Sequence, residues 1–104
     1  MTEVNIENVH VAQFQCDTAA SHNVMSGGLY RKLRGQRPDR IPPMRQEKLA
    51  IRLADGSVGN KKCGSVQLPV KAKNSNVVVL NFFIMAGADN ILGRLVLQKI
   101  WPAQ

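Results

Sequence analysis

Asp17 is one of only four aspartates in this 104-residue chain, and it closes an apolar-leaning run in "AQFQCDTAAS". A carboxylate placed there, ahead of Thr18 and the small residues Ala19 and Ala20, can do one of two things. It can form an Asx-turn with its own backbone at a strand end, or it can move a proton to or from a water as general acid or base. The second role needs another proton-handling group within reach, and the neighbouring sequence supplies none. Two later loops hold the other candidates. Asp55, Gly56 and Ser57 form a turn signal between two alternating runs, and Asp89-Asn90 precedes "ILGR" at Ile91–Arg94.

The other reactive side chains suggest less. Cys16 and Cys63 are far apart and no CxxC or clustered histidine accompanies them, so no metal site and no cofactor is expected. Both thiols are expected reduced, packed in or near the core, in a reducing compartment. His10 and His22 have no arguable pairing with either cysteine for nucleophilic catalysis. His22, five residues beyond Asp17, is expected at the surface or at a pocket rim.

The elements that must position Asp17 read mostly as short strands. Val4, Ile6, Val9, Val11, Phe14 and Cys16 alternate loosely, with a shift in register that predicts two short strands or a hairpin. "SGGLYRKL" allows one helical turn after Gly28. "KLAIRLADGS" alternates through Leu49, Ile51 and Leu53 into the Asp55-Gly56 turn. Val66, Leu68 and Val70 alternate again around Pro69, a residue that prefers a sheet edge. "NSN" at Asn74–Asn76 marks a turn. "VVVLNFFIM" is continuous enough to predict a strand buried on both faces. A short helix is expected from about Arg94 to Ile100, with Leu95, Val96, Leu97 and Ile100 on one side and Pro102 ending it; Trp101 is expected to close the core or a dimer contact. Many short strands, regular turn signals and one late helix describe an all-β domain closed on itself.

Length and charge bound the rest. Residues 1–104 are a single domain on size alone. No run of about 18 apolar residues is present, and "MTEVNIENVH" carries acids where a signal peptide would carry bases, so neither membrane insertion nor secretion is expected. The formal net charge is +7, from 14 Lys and Arg against 7 Asp and Glu. Arg31, Lys32, Arg34, Arg37, Arg40, Arg45 and Lys48 share the segment "YRKLRGQRPDRIPPMRQEK", which Gly35, Pro38, Pro42 and Pro43 mark as a loop. With Tyr30 its only aromatic, that segment reads as a solvated basic loop capable of weak RNA contact.

The order strand, Asp-Thr-small-Ala, hairpin with a glycine tip, long apolar strand, Ile-Leu-Gly-Arg, helix resembles the retropepsins, the aspartic proteases of retroviruses and LTR retrotransposons. The resemblance runs from about Val9 to Trp101 and rests on "CDTAAS" and "NILGR". It implies a small closed retropepsin-like β-barrel with one short C-terminal helix, acting as a homodimer. It also supplies the missing partner of Asp17, which would be Asp17 of a second copy. Two carboxylates about 3 Å apart cannot both ionise, so they share a proton. One then activates a water while the other polarises the scissile carbonyl. The resemblance further implies a hydroxyl contact from Thr18 across the two-fold axis and an active-site loop of Thr18, Ala19 and Ala20. Ala54, Asp55, Gly56, Ser57, Val58 and Gly59 would form a flap over bound peptide, with Gly56 and Gly59 supplying its freedom. Ile91, Leu92, Gly93 and Arg94 would support the site from below.

Three departures qualify the resemblance. Ala19 stands where the family has glycine, and Ser21 stands where many relatives place an aspartate that pairs with the arginine at Arg94. Sixteen residues precede Asp17 and eleven follow Gly93, a shortness that suggests a differently held dimer, trimmed termini or a weak dimer, and an LTR retrotransposon (Ty3/gypsy-like) or related element. The implied activity is endopeptidase cleavage of a Gag-Pol-like polyprotein, in the cytoplasm or within virus-like particles. Two alternatives stay open: a catalytically silent dimerising or peptide-binding module, and a basic RNA-binding β-domain.

Overall fold

The computed structural model describes residues 2–17, 20–52, 54–72 and 76–94. Among these residues, seven strands and one helix run in the order β1 (Thr2–Ile6), β2 (His10–Cys16), β3 (Asn23–Ser26), α1 (Gly27–Gln36), β4 (Arg45–Arg52), β5 (Val58–Ala72), β6 (Val78–Met85) and β7 (Ile91–Leu92). The sheet order is β1-β2-β7-β3-β6-β5-β4, and β1 also pairs with β5. That extra pairing closes six strands into a ring and leaves β4 outside it, held by the first half of β5. The fold is therefore an all-β closed sheet, as the alternation predicts.

The first hairpin forms where the register shift falls. Glu7 and Asn8 both take positive φ, 55° and 56°, and the Val9 N–H donates to the Ile6 carbonyl at 2.9 Å, the tight turn whose twist suits a hairpin. Val4, Ile6, Ala12 and Phe14 then point into one core with Met25, Leu68, Val70, Phe82 and Leu92. Phe14 and Phe82 meet at its centre with ring centroids 5.6 Å apart.

Pro69 lies in β5 between β6 and β1, not on a sheet edge. Its carbonyl accepts the Glu7 N–H just beyond the last β1 pair, Ile6↔Val70. A strand residue's N and O point to the same side, so the missing donor falls where β1 has ended and no bond to β6 is lost.

Several expectations change. The single turn after Gly28 is a ten-residue helix beginning at Gly27. Ser26 caps it by accepting the Leu29 N–H at 3.1 Å, and Tyr30 and Leu33, one turn apart, are buried. The C-cap N–H of Arg37 closes onto Leu33 ahead of Pro38. The segment expected to be a basic loop is thus helix through Gln36 and strand from Arg45, with only residues 37–44 irregular. That connection is held by the Tyr30 hydroxyl on the Pro42 carbonyl and by Arg34 on the Ile41 carbonyl.

The "VVVLNFFIM" run is buried on one face only. Leu80, Phe82 and Ile84 are buried, whereas Val79 is 63% exposed and Val77 62%. The ring has an outside, and α1 with its following connection covers only part of it. Cys16 is exposed, against the expectation for both thiols, while Cys63 is buried. Of the expected C-terminal helix only Arg94 is described, in helical conformation. Leu95, Val96, Leu97, Ile100, Trp101, Pro102 and most of the 74–76 turn lie outside the described residues.

Candidate active site

Asp17 stands where β2 leaves the sheet. β7 runs parallel to the end of β2, with Gln15 opposite Ile91 and Cys16 opposite Leu92. The ladder continues one residue further: the Asp17 N–H donates to the Leu92 carbonyl at 3.0 Å. The chain then turns, and the Ala20 N–H donates back to the Asp17 carbonyl at 3.1 Å. Asp17 is half-buried at this corner. Thr18 and Ala19 lie outside the described residues.

Gly93 fixes the return side of the corner. A Cβ there would lie 2.9 Å from both the Ala20 and His22 carbonyl oxygens, so only glycine lets β7 pass this close. The next N–H, from Arg94, donates to the Ala20 carbonyl at 2.9 Å. Arg94 therefore reaches a backbone carbonyl through its own backbone, and its side chain is exposed, as is Ser21. Ile91 is half-buried and Leu92 fully buried beneath the loop. Asp17, Ala20, Ile91, Leu92, Gly93 and Arg94 are thus brought together.

Two asparagines complete this junction, and only one of them stood out in the sequence. Asn23 accepts the Gly93 N–H on Oδ1 at 2.8 Å and donates from Nδ2 to the Asn81 carbonyl at 3.2 Å. Asn90, beside Asp89, accepts the Ser26 N–H on Oδ1 at 2.8 Å, while its carbonyl takes the Gln15 N–H. β7 is only two residues long, so side-chain amides replace the backbone bonds it is too short to make. A polar residue opening the apolar "NVMS" strand was the available signal for Asn23. His22 is exposed at the surface, edge-on to Phe83 with ring centroids 5.1 Å apart.

The flap candidates form a hairpin tip. β4 and β5 pair without a break from Arg45↔Ser65 to Arg52↔Val58. Beyond them Asp55 accepts the Ser57 N–H at 2.9 Å and its hydroxyl at 2.6 Å. Those bonds hold the exposed Asp55 carboxyl below its usual range. Gly56 has φ +89°, the left-handed region. Gly59 does not share this role: it sits in β5 opposite Ile51, because the turn is complete before the strand begins. Ala54 through Val58 are exposed.

A cleft of about 440 Å³ opens elsewhere, between the 37–44 connection and the outer face of β5 and β6, and none of the expected site residues lines it. Among the described residues no cluster of His, Cys, Asp or Glu could hold a metal ion. Nor is any described helix long and apolar enough to cross a membrane.

A closed six-strand ring with an outlying hairpin is an arrangement found among solved structures. The EIAV protease complexed with the inhibitor HBY-793 superposes on this chain with a TM-score of 0.74, covering 99% of this chain and 88% of its own, at 22% sequence identity. The fold is retropepsin-like. At that identity the likeness is one of fold. No family model matches the chain. No curated protein sequence matches it either.

Proposed function

We propose that this chain is one protomer of a homodimeric aspartic endopeptidase that cleaves a Gag-Pol-like polyprotein, with Asp17 as its catalytic carboxylate. The observation that carries the reading is the placement of Asp17. In a fold shared with a retroviral protease, the aspartate sits at the β2–β7 corner with its own backbone bonded on both sides. Such a corner holds a carboxylate at a fixed place, as acid–base catalysis requires.

One protomer offers one such carboxylate, and the chemistry needs two. In the dimer the two Asp17 side chains would share a proton. The ionised member takes a proton from water as the water attacks the scissile carbonyl. The protonated member donates a hydrogen bond to that carbonyl oxygen. When the tetrahedral diol collapses, a proton passes to the departing amine and the shared-proton state is restored. The two titrations belong to the pair, giving a rate confined to acidic or mildly acidic pH. The Ala54–Gly59 hairpin would close over the peptide and exclude water, and Thr18 would brace the two loops across the axis.

The test is cleavage of a mixed peptide pool near pH 5 at high protein concentration, wild type beside Asp17→Asn. Cuts made by wild type and missing from the variant are expected. Equal cutting by both, or a rate climbing steadily to pH 9, would refute the assignment. A dimer that cuts nothing would leave the reading as a silent peptide-binding module, the outcome that Ala19 in the glycine position favours.

A further inference from the structure

The excess charge of this chain is confined to one part of it. Residues 27–62, forming α1, the 37–44 connection, β4 and the start of β5, hold ten of the 14 Lys and Arg and three of the seven acids. The rest of the chain holds four of each. The whole of the net +7 therefore belongs to a single continuous stretch that ends in the one hairpin outside the closed ring.

The three acids of that stretch are already engaged. Asp39 pairs with Arg37 at 3.0 Å, Glu47 accepts the Ser65 hydroxyl at 3.1 Å, and Asp55 holds Ser57. Arg31, Lys32, Arg40, Arg45, Lys48, Lys61 and Lys62 are exposed, and among the described residues the Arg37–Asp39 pair is the only salt bridge. Lys48 and Lys62 are directly opposite in the β4–β5 register, so their side chains share a sheet face. Like charges so placed are destabilising. Gln46, Ala50, Asn60 and Gly64, which share that face by register, carry no charge to offset it. A bound anion would remove the repulsion.

The surroundings favour phosphate over an acidic protein. Protein partners anchor on exposed aromatic or apolar side chains, and among the described side chains of this stretch the exposed large hydrophobics are Met44 and Val58. Its single aromatic, Tyr30, is buried with its hydroxyl on the Pro42 carbonyl, so no ring is offered for stacking a base. We propose that residues 27–62 form a surface that binds nucleic acid through its phosphates, without regard to base sequence or base stacking. The surface works independently of Asp17.

The probe is a fluorescent mixed-sequence RNA of about 20 nucleotides, long enough to span a typical single-strand site. Affinity is read by anisotropy across a salt series. If five of the seven exposed cations meet phosphates, the log–log salt slope is about −3.5, and affinity falls about 100-fold between roughly 50 and 200 mM salt. The double variant Lys48→Gln/Lys62→Gln makes the slope shallower by about 1.4. Lys71→Gln, an exposed lysine in the charge-neutral part of the chain, and Asp17→Asn leave affinity unchanged. A slope shallower than about −1, or equal damage from Lys71→Gln, would overturn the proposal. So would competition by polyglutamate as effective as by unlabelled RNA, which would point to an acidic protein instead.

Discussion

Replacing Gly93 by alanine tests the corner that carries Asp17. The added Cβ would meet the Ala20 and His22 oxygens at 2.9 Å and the His22 carbonyl carbon at 3.1 Å, against a comfortable carbon contact of about 3.5 Å or more. These neighbours are backbone, and the Ala20 carbonyl is tied by the Arg94 N–H at 2.9 Å, so no side chain can swing aside. The loop must move by about half an ångström, at the cost of an overpacked core, about 1–3 kcal/mol. At roughly 4–8 °C per kcal/mol for a domain of this size, a loss of about 2 kcal/mol lowers Tm by about 8–16 °C. The assay is a thermal melt at fixed protein concentration, so that dimerisation does not shift the midpoint. Amide exchange at Arg94 should accelerate alongside. Gly35→Ala is the control: its Cβ meets nothing within 4 Å in the last turn of α1, and it should stabilise by about 0.5–1 kcal/mol. If Gly93→Ala melts at or above the wild-type temperature, the close approach does not exist and the account of the corner fails. Any proteolysis should fall further than stability does, because a misplacement near 1 Å can cost about 100-fold in rate.

The remaining predictions concern the core, the thiols and the hairpin tip. Phe82→Ala removes a fully buried ring packed against Phe14 and should cost about 3–5 kcal/mol by urea unfolding. Cys16 is exposed whereas burial, with Glu47 adding, pushes the Cys63 thiol up; iodoacetamide should therefore modify Cys16 at least about tenfold faster, as peptide mapping would show. The Asp55 carboxyl is held below 3.8, its ordinary value, by Ser57, so its contribution is complete above that pH and is lost as pH falls through the lowered value. Amide exchange at Ser57, corrected for the intrinsic pH dependence, should lose protection only in that acid range, and Asp55→Asn should remove the dependence.

The short-range features were legible in the chain alone. Alternation marked β1, β2, β4 and the second half of β5, because successive side chains along a strand point to opposite faces. Asp55-Gly56 marked its turn because Gly56 needs positive φ. "CDTAAS" and "NILGR" marked two segments that the fold brings against each other. Features set by long-range pairing emerged only with the folded chain. Whether "VVVLNFFIM" had one buried face or two depended on what covers the outside of the ring, and local hydrophobicity does not encode that. α1 is longer than its two leading glycines suggested because a Ser26 cap and the burial of Tyr30 and Leu33 outweigh weak propensity. Asn23 gained its meaning only when Gly93, seventy residues away, arrived to donate to it. A hydrogen bond across that separation leaves no periodic trace in the chain, so its significance appears only after the strands have closed.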